Sequence, residues 1–315
     1  MAEAKRLPTN LMEAIRYFAD PKVCIDFVAD LRWPDGPTCP KCGGMEYSFL
    51  TTRNLWKCKA CKRQYSVKAG TIFEDSAIPL DKWLCAIWLI ANSKNGISSH
   101  ELGRSIGITQ KSAWFVNHRI RLAMATGTFE MLDGTVEMDE TFVGGKAINM
   151  HAADRKQKLG KGHTGGHGAN KTAVFGAIER GGRVSATVVP DTRRASLEPA
   201  VFDRVLQGST VYTDEWTGYK ALGEAFDHHT VNHSAGEYVL RGEIHTNTIE
   251  NFWAVLKRAL NGTYVSVEPF HLFRYLDERM FAFNERHRDD QGRFLAVLAM
   301  VSGRRLTYAE LTGKA

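Results

Sequence analysis

Two Cys-x-x-Cys pairs constrain the N-terminal part of the chain more than any other feature: Cys39-Pro-Lys-Cys42 and, after fifteen intervening residues, Cys58-Lys-Ala-Cys61. Each pair turns two thiols to one side of a tight knuckle, and two knuckles complete the tetrahedral shell that Zn²⁺ takes. A segment this short has no large apolar core, so a metal would have to supply its folding free energy. Residues 47–56, between the pairs, read as strand. The expectation is a zinc ribbon in which Cys39, Cys42, Cys58 and Cys61 hold a structural Zn²⁺. Lys41, Lys57, Lys59, Lys62 and Arg63 rim the ligands. Such a rim suits a nucleic-acid backbone, although zinc ribbons also serve as protein contacts. Cys24 and Cys85 fall in apolar patterns and read as buried core residues.

Composition narrows the setting. A chain of 315 residues is long enough for two domains or for one with appendages, and its 43% hydrophobic fraction supports a proper core. Lysine and arginine outnumber the acids 41 to 35, a net +6 that leans toward polyanionic partners. The apolar run 83–91 is too short to cross a bilayer, and the first residues lack the apolar region of a signal peptide. A cytoplasmic, nucleoid-associated chain without a membrane partner is therefore expected. Thiols stay reduced there, which favours metal ligation over disulfides.

Taken in order, residues 1–32 form a helical lead-in broken at Asp20-Pro21, and 33–75 the ribbon. Residues 76–130 carry an apolar helix over 80–92, a second over 98–105, the turn Ile106-Gly107-Ile108, and a longer helix over 109–125 with Thr109 as its cap. That is the pattern of a helix-turn-helix, with a plain three-helix packing unit as the competing reading. The last helix would bury Ala113, Val116 and Ile120 and expose Gln110, Lys111, Ser112, Asn117 and Arg119 to phosphates and base edges. From Gly134 the texture becomes extended. Residues 135–143 alternate with Glu137, Asp139 and Thr141 on one side and Val136, Met138 and Glu140 on the other. A cationic loop, 146–171, follows with Arg155, Lys156, Lys158 and Lys161, then strands over 171–178 and 183–189 joined at Gly181-Gly182. A helix over 196–206, a strand ending near Asp214, a helix over 217–225, a short strand at 229–232 and a helix from about His245 continue the pattern. Three antiparallel strands followed by alternating helices and strands is the order of a ribonuclease H-like α/β fold, a mixed sheet flanked by helices, here spanning 131–290. Residues 291–315 read as a basic tail.

In the helix from His245, Ile249, Phe252, Trp253, Leu256 and Leu260 recur at helical spacing. Glu250 borders that stripe, and Lys257, seven residues on, returns to nearly the same azimuth. Two aspartates on strands, Asp139 and Asp214, followed by a glutamate on a helix fit one known solution for cutting and joining phosphodiesters. In it the first and fourth strands are neighbours, and the acids hold a pair of Mg²⁺ or Mn²⁺ ions that activate the attacking hydroxyl and neutralise the leaving oxygen. Lys257 and Arg258 would then face a phosphate. Trp216, Tyr219 and Trp253 stand where an aromatic can stack on an unpaired base, with Trp253 also fitting the core.

Asp139 in Glu-Met-Asp-Glu-Thr, Asp214 in Tyr-Thr-Asp-Glu, and His-Thr-Asn-Thr-Ile-Glu-Asn-Phe-Trp with Leu-Lys-Arg resemble the DDE transposases of bacterial insertion sequences. The N-terminal cysteines make the chain similar to their ISXO2-like branch, over residues 20–287. The resemblance implies Mg²⁺-dependent cleavage at terminal inverted repeats and strand transfer into target DNA by a homo-oligomer assembled on DNA. In this branch the third position is not always glutamate, and Asn251 and His245 stand close enough to fill it instead of Glu250. Two other functions remain open: a zinc-ribbon and helix-turn-helix regulator whose ribonuclease H-like half only binds DNA, and a nuclease of the same fold without strand transfer.

Overall fold

The computed structural model describes residues 6–125, 130–145, 151, 156, 171–219, 221–231 and 246–314. The chain divides into two compact units, Met1–Ala125 with Glu285–Ala315, and Thr126–Asn284. Among the described residues no helix is long and apolar enough to cross a membrane.

The first unit begins with helices α1 (Leu11–Tyr17) and α2 (Pro21–Arg32). The Asp20-Pro21 break is also a start: the Asp20 carboxylate accepts the Lys22 N–H while Pro21 takes the first helical position, where a missing N–H costs nothing. Strands β1 (Tyr47–Leu50), β2 (Leu55–Cys58) and β3 (Gln64–Tyr65) form an antiparallel three-stranded sheet. Trp33, Trp56 and Tyr65 pack their rings over it at 5.2–6.2 Å. Next come α3 (Leu80–Asn92), α4 (Ser99–Ile106) and α5 (Gln110–Met124). The turn between the last two is built as its residues dictate. Gly107 ends α4 at φ +64°, a left-handed position that suits glycine, and the Thr109 side chain accepts from Ser112 N to start α5.

Two expectations for this unit are corrected. Residues 291–315 are not a tail. They belong to the same unit, where Phe294 packs among Phe18, Phe27 and Trp88 at 5.0–6.3 Å. Nor is α5 exposed at Asn117 and Arg119, which are 2% and 4% accessible. The Arg119 guanidinium donates to the carbonyls of Ile72, Glu74 and Leu306 at 2.7–3.0 Å. The reason is tertiary cover: Arg119 meets residues 72–74 and the returning C-terminal segment, and Asn117 donates to Ile97 O at 3.2 Å. Arg304 donates to the carbonyls of Leu122, Ala123 and Ala125, filling acceptors that a helix end lacks partners for.

In the second unit β4 (Thr135–Val143), β5 (Thr172–Glu179), β6 (Val184–Val189), β7 (Thr210–Asp214) and β8 (Asp227–Val231) form one mixed sheet in the order β6-β5-β4-β7-β8. The first three strands pair antiparallel, while β4 with β7 and β7 with β8 pair parallel. As expected for the first and fourth strands, β4 and β7 are neighbours. One face packs Val136, Met138, Phe175 and Val211 against Leu197 and Val201 of helix α6 (Arg194–Phe202) and against Tyr219. The other packs Val174, Ile178 and Ala186 against α7 (Asn247–Arg258), through Ile249, Phe252, Trp253 and Leu256, and α8 (Leu272–Asn284). Residues 217–225 are not a continuous helix but two single 3-10 turns, Thr217–Tyr219 and Leu222–Glu224. A glycine at 218 and another at 223 lower the helical preference between them.

Candidate metal centre and acidic cleft

The knuckle turns set the four thiols. Gly43 N donates to Cys39 O, Cys39 N to Gly44 O and Cys58 N to Arg63 O, each at 2.9 Å, so both chain reversals present sulfur inward. The ligand atoms of Cys39, Cys42, Cys58 and Cys61 all lie within 4.8 Å of one another. The Cys39–Cys61 and Cys42–Cys58 sulfur separations are 3.6 Å. Thiolates about 2.3 Å from a tetrahedral Zn²⁺ stand about 3.8 Å apart, so the set fits zinc. Burial pushes the Cys39 thiol up, but the amides of Lys41 and Cys42 outweigh it and bring it to about 6, so the sulfur is poised as a thiolate ligand. Cys58→Ser is expected to lower bound zinc well below one per chain and to open the ribbon to protease cleavage. Metal analysis and limited proteolysis check this, and a variant with full zinc and unchanged cleavage would count against a structural metal.

The acidic cleft is set by sheet register. The β4–β7 ladder ends at Glu137 opposite Tyr212, and Asp139 and Asp214 each lie two residues further on. Both carboxylates therefore leave the sheet at the same level and on the same face. They line a cavity of about 510 Å³ together with Glu140, Lys171, Trp216 and Lys257. Asp214 also accepts the backbone N–H of Trp216 at 3.0 Å. Burial foremost, with the charges of Asp214 and Glu250 adding to it, pushes the Asp139 carboxyl up to about 6. Alternation turns the Glu140 side chain toward Tyr219, away from the Asp139–Trp253 contact, yet at the strand end it still lines the same cavity. There burial raises its carboxyl to about 8, even though the Tyr219 hydroxyl donates to it.

Helix α7 is fastened to β4 at two points. Its N-cap residue, Thr246, makes no side-chain cap bond. The cap comes from the sheet instead. The fully buried Glu137 carboxylate accepts from Thr248 N at 2.8 Å, Ile249 N at 3.1 Å and Thr248 Oγ1 at 2.9 Å, and pairs with Arg180 at 2.9 Å. One strand repeat further, Asp139 Oδ2 accepts the Trp253 indole N–H at 3.0 Å. Gly176 lies opposite Asp139 on β5, and a Cβ there would stand 2.4 Å from the Trp253 ring. The bare glycine lets the indole lie against the sheet. Gly176→Ala is expected to cost about 1–3 kcal/mol by overpacking and to quench the native Trp253 environment. Urea denaturation followed by tryptophan fluorescence measures both, and a neutral variant would show that the ring seat is loose.

The remaining predicted residues fall as follows. Glu250, in the first turn of α7, is exposed and does not line the cavity, but its charge is felt at Asp139. Among the described residues the cysteines form a closed group of metal-capable atoms, and the three carboxylates do not. Lys257 lines the cavity, and Arg258 is exposed one residue on. Gln110 and Lys111 are exposed at the start of α5; Gln110 donates to Ser99 at 2.9 Å and Lys111 lies 5.4 Å from the Tyr308 ring centroid. Lys156 is exposed, whereas Arg155, Lys158, Lys161 and His245 lie outside the described residues. Tyr219 and Trp253 are buried, and Trp216 is 47% exposed. Sequence reasoning gave Glu137 no role. Its signal was an acid placed on the same side of β4 as Asp139, where a helix start would need it.

Residues 131–284 match the ISXO2-like transposase domain, and residues 20–64 match the transposase zinc-ribbon domain. A zinc ribbon ahead of a mixed-sheet transposase domain defines the class. The chain belongs to the ISXO2-like transposase family. An uncharacterized protein in transposable element ISH50 of Halobacterium salinarum is 29% identical over 258 residues, covering 79% of this chain and 86% of that protein. An uncharacterized transposase-like protein of Haemophilus influenzae is 33% identical over 103 residues, 32% of this chain and 81% of that protein.

Proposed function

We propose that the chain is an insertion-sequence transposase that binds terminal inverted repeats, cleaves DNA there and joins the freed 3′ end to target DNA. The observation that carries this reading is the pair Asp139 and Asp214 at the ends of adjacent parallel strands, in one cavity with Lys171 and Lys257. The mixed sheet with its 3-2-1-4-5 strand order and helices on both faces supports a ribonuclease H-like domain.

The donors fit a divalent cation of the Mg²⁺ type. They are carboxylate oxygens, which hard ions prefer, and the Asp139 carboxyl is raised by burial first and by its acidic neighbours second, a cost that a cation would offset. When bound, a pair of such ions activates the attacking hydroxyl and neutralises the departing oxygen. Asp139 and Asp214 would hold the ions, and Glu250, which starts outside the cavity in the first turn of α7, would supply the third carboxylate once that helix start closes on bound DNA. Trp253 keeps one Asp139 oxygen occupied and so fixes the direction of the other. Lys257 and Lys171 hold the phosphate at the mouth. Arg258, Lys111, Gln110 and the cationic segment with Lys156, Lys158 and Lys161 grip flanking DNA, with Zn²⁺ in the ribbon and a second copy of the chain on the other end. Arg119 leaves this set, because its donors are already used inside the fold.

The test is incubation of the purified chain with Mg²⁺ and a DNA fragment ending in the repeats that flank its reading frame. Joined products support transposition, nicks alone support a nuclease, and binding without either supports a regulator. Mild EDTA should abolish product while the ribbon keeps its zinc.

A further inference from the structure

Trp216 lines the acidic cavity and yet is 47% exposed, while Trp253, which donates to Asp139, is 4% exposed. Leaving an indole in water forgoes the free energy of burying it, so a built seat that keeps one exposed calls for a ligand. This seat is built. The indole N–H donates to Thr192 O at 2.7 Å, and the residue's own N–H donates to Asp214 Oδ1 at 3.0 Å. Behind the ring, a Cβ on Gly218 would come within 3.0 Å of it. With its N–H used, the ring has only its π face to offer. Lys171 and Lys257 line the same cavity and supply cations for a phosphate. A fixed π face next to carboxylates and ammonium groups matches a phosphodiester whose neighbouring base is unpaired. A paired base presents only its edges from within the stack, but a free one can lie flat on an aromatic ring.

We infer that Trp216 is a stacking platform for one unpaired nucleobase next to the phosphodiester held at Asp139 and Asp214. The site then takes DNA opened or bulged at that position in preference to intact duplex. This rests on the transposase reading, and the two can fail separately.

The experiment titrates the full chain, in Ca²⁺ to hold back cleavage, with short duplexes of one sequence. They carry 2-aminopurine either fully paired or unpaired in a single-base bulge. Expected for the wild type are quenched fluorescence with the bulged probe only and binding tighter than to the paired probe by about 5- to 150-fold, the range of one stacked base. Trp216→Ala should lose both the quench and the preference while binding the paired duplex as before. Trp216→Phe, which keeps a π face, should retain most of the quench. Equal binding of the bulged probe by the alanine variant and the wild type overturns the platform, and so does a parallel loss on both probes. Wild-type binding of duplex without discrimination sinks the platform alone, whereas no binding of either probe sinks the transposase reading with it.

Discussion

Asp139→Asn is expected to reduce DNA cleavage by about 10³-fold or more, the loss of roughly 4 kcal/mol of charge stabilisation, and yet to make the metal-free protein more stable at pH 8. The sign follows from linkage. The folded carboxyl titrates near 6 against an ordinary 3.8, so the folded state holds the proton more tightly than the unfolded chain. Stability from this group is therefore fully present below about pH 4 and is lost as pH rises through about 6. Above that the ionised group costs up to about 3 kcal/mol. Asparagine removes the charge and keeps an oxygen for the Trp253 N–H. Thermal melts in EDTA should show the variant above the wild type at pH 8 and level with it near pH 4. Added Mg²⁺ should raise only the wild type. A variant that melts below the wild type at pH 8 would show that the carboxylate is already compensated within the fold.

Glu137→Ala is expected to cost about 3–5 kcal/mol, the usual effect of breaking a buried charged pair from one side. Three bonds to the first turn of α7 go with it, and Arg180 loses its partner. Because Arg180 is 24% exposed and can turn to water, the lower end of that range is expected. Glu137→Gln keeps one oxygen for the helix amides and should cost less than half as much. Urea denaturation gives the energies, and hydrogen exchange at the Thr248 and Ile249 amides reads the helix end. A loss under about 1 kcal/mol with unchanged exchange would mean that α7 is held by its apolar stripe alone. If the cap is real, the variant also weakens Mn²⁺ binding, since the helix start that carries Glu250 is no longer fixed.

Much of the molecule was legible in its residues. The helix at Leu80–Asn92, the strand at Thr135–Val143 and the Thr109 cap stand where periodicity and capping residues put them. Alternation along β4 gave Asp139 and Glu140 different partners, Trp253 and Tyr219, but did not take Glu140 out of the cavity that both acids line. The reading failed where exposure depended on a distant segment. Arg119 looked like a DNA-facing cation, because a helix's own pattern cannot show that residues near 306 will return to cover it. The cap of α7 comes not from the residues beside its start but from a strand residue 111 positions earlier.

By itself the sequence determined the cysteine shell, the turn at Gly107 and the faces of the main helices and strands, because knuckles, caps and amphipathic stripes are settled between residues a few positions apart. Only the tertiary structure decided that Asp139 meets Asp214 in one cavity, that Glu137 holds α7, and that Arg119 turns inward. Each of those depends on burial and register between segments far apart in the chain, where one strand slip or one covering helix exchanges an exposed charge for a buried one.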